Sequence, residues 1–125
     1  MTDKSLAEKL QVKHGRRLAL IDPPAGLAAL FGPDVPMADA AESAEVVLGF
    51  ARSHAELERT LPTLRGRLAP DAILWLAYPK LNSPLAGDIS RDVIHGYAPT
   101  VGLDAVAQIA IDAVWSAMRL KILPR

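Results

Sequence analysis

Apolar residues fall into a small number of unbroken runs, and between them polar stretches carry proline or glycine. Residues 18–21, 44–50 and 72–78 ("LALI", "AEVVLGF", "AILWLAY") are almost continuously apolar. Runs of that length without polar alternation suit strands covered on both faces, as in a parallel sheet. A fourth run, 104–111 ("DAVAQIAI"), and a last one, 116–123 ("SAMRLKIL"), are joined by only four residues. So short a link forces a hairpin, because a parallel crossover needs a dozen residues or more. Residues 34–39 ("DVPMAD") make at best a short second strand, and Pro36, lacking an amide donor, places it at an edge.

Helical patterns lie between these runs. Ser5 and Glu8 have capping-box spacing and open a short helix over residues 5–12. Pro24 or Ala25 opens a second helix to about Phe31, stopped by Gly32-Pro33. Ser53 and Glu56 form another capping box, and Leu57, Leu61, Leu64 and Leu68 then make one helical stripe. Pro62 lies inside it and must kink the helix or break one hydrogen bond. Asp88 is the expected cap of a helix whose buried face is Ile89, Val93 and Tyr97. Strands alternating with helices predict a single α/β domain over residues 1–125. Its expected form is a three-layer arrangement with helices on both faces of a mostly parallel sheet of about six strands. Numbered along the chain, those strands are expected in the order 2-1-3-4-6-5 with the last antiparallel.

Composition narrows the function classes. Fourteen basic residues balance fourteen acidic ones, so the chain lacks the broad positive field of a nonspecific nucleic-acid binder. Arg16, Arg17, Arg65 and Arg67 are not interleaved with aromatics and read as solvated faces. Cysteine is absent, which removes disulfides, thiol nucleophiles and thiolate metal sites and is compatible with the cytoplasm. Charges stand at the N-terminus where a signal peptide has its apolar core, and no run approaches the ~20 apolar residues of a membrane span. His14, His54 and His95 are far apart, and none is expected to meet a histidine or carboxylate at metal-ligand spacing. Glycine-rich phosphate loops and the G-x-S-x-G elbow do not occur.

From residue 44 onward the chain resembles the later half of a class I, Rossmann-like methyltransferase. The likeness rests on "LRGRLAPDAILWLAYPK" and on the terminal strand–turn–strand hairpin. The whole chain is similar to an uncharacterised family of short bacterial proteins known as a domain of unknown function. That likeness is carried by "LAEKLQVKHGRRLALI", "LAPDAILWLAYPK", "DISRDVI", "APTVGL" and "WSAMRL". The methyltransferase resemblance implies an S-adenosylmethionine site after the first strand, where such enzymes have an acidic residue and closely spaced glycines. Here Asp22 stands at the acidic position and Gly26 matches one glycine, but Pro23, Pro24 and Ala25 fill the rest. Two prolines remove two amide donors and fix two φ angles, leaving a stiff loop poor in donors. Asp39 stands where that fold grips ribose. The loop argues against the cofactor, and none is assigned.

In open α/β sheets ligands sit beyond the carboxyl ends of the strands, near the point where strand order reverses. The expected order brings Asp22, Gly26, Arg52 and Lys80 toward that edge, with Asp112 and Trp115 in the hairpin turn. Such a set suits a small anionic ligand. Two functions follow. One is a non-methylating domain that binds a protein partner or a small anion at this edge. The other is a small transferase, including a divergent methyltransferase, or a hydrolase using Asp22, Lys80 and Trp115. A homodimer contact through the final strand, the second-strand edge or the N-terminal helix is a third property to look for.

Overall fold

A computed structural model describes residues 5–123; the charged stretch 1–4 lies outside them. Among the described residues five strands form one sheet: β1 (Leu18–Ile21), β2 (Val46–Phe50), β3 (Ile73–Pro79), β4 (Leu103–Ala110) and β5 (Trp115–Ile122). Three α-helices accompany them: α1 (Leu6–Lys9), α2 (His54–Arg67) and α3 (Arg91–Tyr97). The sheet order is β1-β2-β3-β5-β4. Strands β1, β2 and β3 run parallel, and β5 is antiparallel to both of its neighbours.

The expected six strands and their order 2-1-3-4-6-5 are therefore corrected to five. What falls away is the second strand, which shrinks to one parallel bridge between Met37 and Leu18. The Leu18 amide donates to the Pro36 carbonyl at 2.9 Å and the Ala38 amide to the Leu18 carbonyl at 2.8 Å. Pro36 has no amide with which to extend that ladder.

β2 and β3 are buried at every position, as their unbroken apolar runs require, whereas β4 is mostly open to solvent. One sheet face packs Val47, Leu74, Leu76 and Tyr78 under α2 and α3, with Leu57, Leu61, Leu64 and Ile94 from the helices. Gly49 makes the close approach of α2 possible. A Cβ there would stand 2.5 Å from Leu64 Cδ1. The other face packs Leu48, Phe50, Trp75 and Trp115 against Leu10, Val12 and Leu27. Among the described residues its only α-helix is α1, so the helical layers are unequal.

Local corrections have local causes. The helix expected from Pro24 to Phe31 is a 3-10 turn, Leu27–Leu30, because Gly26 is left-handed at φ 81° and Gly32-Pro33 follows closely. α1 stops at Lys9, four residues long, with its Ser5–Glu8 capping box intact. At Ser53 only half a box forms: its hydroxyl accepts from the Glu56 amide, while the Glu56 carboxylate takes the Arg52 amide. Ser90, not Asp88, caps α3. Asp88 Oδ1 instead accepts from the His54 amide at 2.8 Å, stitching the β3–α3 loop to the start of α2.

Candidate functional site

The carboxyl ends of β1, β2 and β3 share one edge of the sheet with the β4–β5 turn. Asp22 follows β1 and is left-handed at φ 57°, a conformation that aspartate tolerates better than most residues. All peptide bonds of the described residues are trans, so the two prolines direct the loop through φ alone. Arg52, just beyond β2, reaches back across the crevice. Its Nη2 donates to the Asp22 carbonyl at 3.0 Å, and its Nη1 meets Glu56 Oε1 at 3.3 Å. Its Cζ lies 5.8 Å from the centre of the Trp115 ring, within cation–π range. Trp115 is buried and packs edge-on against Phe50. Arg52, the Asp22 backbone and Trp115 thus meet, as the sequence places them, but they are bound to one another.

The other expected residues are distributed around this cluster. Gly26, Asp112 and Trp115 border a depression of about 200 Å³ shared with Pro24 and Leu30. Asp112 is committed to the hairpin turn, where Oδ1 accepts from the Val114 and Trp115 amides at 2.8 Å each. The Asp22 side chain is exposed and faces a separate hollow beside Arg59 and Arg67 of α2. Asp39 is exposed, well along the chain from any of these groups. Lys80 lines a third cavity, and none of these three hollows contains both Asp22 and Lys80.

That third cavity measures about 460 Å³. Pockets for small molecules run from about 300 to 1,000 Å³, so it combines sufficient size with convergent polar groups. The buried Tyr78 and Ser116, from β3 and β5, form its floor, and Gln108 of β4, Lys80, Arg91 and Asp92 line its more open part. Tyr78 and Ser116 are partners across the β3–β5 ladder, 3% and 4% exposed. The Tyr78 hydroxyl accepts from Gln108 Nε2 at 2.8 Å. Burial pushes the Tyr78 phenol above its ordinary pKa, against the opposing effect of the Ser116 and Gln108 side chains, so it stays a neutral donor. Among the described residues Lys80 has no carboxylate within 4.0 Å, whereas Arg91 has only the loose contact with its neighbour Asp92, at 3.7 Å. An anion entering here would find two cations on the rim and hydroxyl donors beneath.

Sequence reasoning found Lys80 but not the strand residues beside it. The available signal was polar interruption: Gln108 and Ser116 break otherwise apolar runs at positions that face the α3 side. The histidine reading needs one correction, since His54 Nδ1 meets Glu58 Oε1 at 3.1 Å, one helical turn away. Among the described residues no three His, Asp or Glu side chains gather as metal ligands. Arg17 pairs with Glu45 and Arg67 with Glu42 on the surface. No helix among the described residues is long and apolar enough to cross a membrane.

Solved structures place the fold. The chain is similar to LepI in complex with SAM, with a TM-score of 0.53 and 13% identity over 94% of this chain. It spans only 39% of the LepI chain. It is also similar to a 16S rRNA (adenine(1408)-N(1))-methyltransferase mutant with cosubstrate SAM from Catenulisporales acidiphilia. There the TM-score is 0.51 and the identity 13%, covering 98% of this chain and 93% of that one. At such identities the likeness defines a class of fold, the methyltransferase-like α/β sheet. Within it, residues 24–123 match the family described as "Protein of unknown function (DUF3052)", and the chain belongs to that family. No curated protein matches it.

Proposed function

We propose that this protein is a non-methylating member of the methyltransferase-like fold that binds a small anionic ligand in the Tyr78–Lys80–Ser116 cavity. The observation that carries the reading is the Arg52 bridge. The crevice where this fold would seat an adenosyl cofactor is crossed by an arginine bonded to the Asp22 carbonyl and lying against Trp115. A separate cavity has a lysine free of carboxylate partners among the described residues. A carboxylate or phosphate monoester would accept from Lys80 and Arg91 on the rim and from the hydroxyls below, a charge-assisted arrangement. Asp92, beside Arg91, favours a ligand with a positive or donor group at its other end.

Binding without reaction is the reading we adopt. The enzyme alternative needs Asp22, Lys80 and Trp115 around one substrate, and these residues border three different hollows.

The test is amide-resolved NMR of ¹⁵N-labelled protein titrated with a panel of carboxylates and phosphate monoesters. At least one should shift Tyr78, Ser90–Asp92 and Ser116. Lys80→Ala should weaken that ligand about tenfold or more, roughly 1.4 kcal/mol. Shifts confined to residues 22–26, or equal affinity in Lys80→Ala, would contradict the proposal.

A further inference from the structure

β4 is the outermost strand on its side of the sheet, and its protections against pairing, Asp104 and a bulge, are confined to its first half. It is eight residues long, and between Asp104 and Asp112 it holds neither a charge nor a proline. Natural edge strands are generally short, charged, proline-bearing or covered. The one irregularity is a bulge at Ala105/Ala107, which leaves Val106 46% exposed and the following residues regular.

The outward hydrogen-bonding groups can be assigned. The Ile111 amide donates to the Trp115 carbonyl at 2.9 Å. Antiparallel ladders alternate, so Ile109 and Ala107 also turn their backbone groups toward β5. Gln108 and Ala110 turn theirs away from it, into solvent. Two residues of separation two, both facing outward, are self-complementary about a two-fold axis through Ile109. Gln108 of one copy then exchanges both backbone bonds with Ala110 of the other. The same register sets Ala107 opposite Ile111 and Val106 opposite Asp112, so no like charges stand directly opposite one another. Centring one residue earlier in the chain, on Gln108, would oppose Asp104 to Asp112, a like-charge clash.

We infer that a second copy of this chain pairs antiparallel along β4, about an axis through Ile109, to make one continuous ten-stranded sheet. The occupant is a second copy because the edge is complementary to itself in backbone pattern and, uncharged from Ala105 to Ile111, opposes no like charges directly in this register. The surface also borders the site. A groove of about 640 Å³ between α3 and β4 is lined by Arg91, Asp92, His95, Val106 and Gln108. Arg91, Asp92 and Gln108 line the Lys80 cavity as well. The partner's edge strand walls the open flank of that groove.

The chain has no cysteine, which permits a register-specific test. Non-hydrogen-bonded antiparallel partners lie about 4.5 Å apart at Cα, within the range a disulfide spans. Ile109→Cys should therefore cross-link to a dimer under mild oxidation, and Thr63→Cys, exposed on α2, should not. Sedimentation equilibrium of the unmodified chain should give a dimer. Ala110→Pro, which removes an outward donor and none of the β4–β5 ladder donors, should raise its dissociation constant at least 100-fold while leaving the circular dichroism spectrum unchanged. A monomer at all concentrations, a dimer indifferent to Ala110→Pro, or equal cross-linking at both cysteines would each overturn the inference. Should Ile109→Cys fail to fold, the Ala110→Pro measurement decides alone.

Discussion

The Trp75 indole nitrogen donates to the Leu10 carbonyl at 3.0 Å, between residues 65 apart in sequence. Trp75 lies mid-strand and is 2% exposed; Leu10 caps a helix of a single turn. A helix that short has little stability of its own, so this bond and the burial of Leu10 hold it on the sheet. Trp75→Phe should cost about 1–3 kcal/mol, the penalty for a buried carbonyl left without its donor, read by urea denaturation. Amides of residues 7–12 should lose hydrogen-exchange protection more than those of β2. The burial of Trp75 was legible in the apolar run, but its partner was not, since nothing local couples two residues so far apart. The same holds for Arg52. Its place after β2 could be read, whereas its bond to a backbone carbonyl depends on the left-handed turn at Asp22.

Elements were legible where patterning was strong. The α2 stripe, the three parallel strands and the terminal hairpin follow from periodicity and loop length, and each is present. The expected second strand and the helix after the diproline failed for backbone reasons, a missing donor at Pro36 and a left-handed Gly26. Pro62 of α2 shows how a conflict is resolved. It cannot donate to the Glu58 carbonyl four residues earlier. The Tyr97 hydroxyl of α3 donates to that carbonyl instead, at 3.4 Å. Burial raises the Tyr97 phenol's pKa, with the nearby Glu58 carboxylate adding to the effect, which keeps the donor protonated. The proline is thereby coupled to the packing of α3 on α2. A double-mutant cycle measures it. Tyr97→Phe should destabilise the parent chain by about 0.5–1 kcal/mol and the Pro62→Ala background by clearly less, because the substituted residue supplies its own amide.

At the scale of the molecule, fold and site part company. The topology belongs to a methyltransferase-like sheet, yet the contacts at its carboxyl edge turn inward. Asp22 offers Arg52 its carbonyl, Asp112 is consumed by the hairpin, and Trp115 closes the core. Those residues could be picked from the sequence because they sit at strand ends. Whether they would face a ligand or one another depends on side-chain reach, which strand position does not encode. The hollow around Lys80 is lined by residues from three strands that are adjacent only once the hairpin inserts β5 beside β3.

Calorimetric titration of the full chain with S-adenosylmethionine addresses the central claim most directly. A strand edge where Arg52 is bonded to the Asp22 carbonyl and the next two residues are prolines should give no binding heat up to millimolar cofactor. Saturable binding in the micromolar range would mean that the bridge opens and the loop accepts the cofactor, contradicting the account.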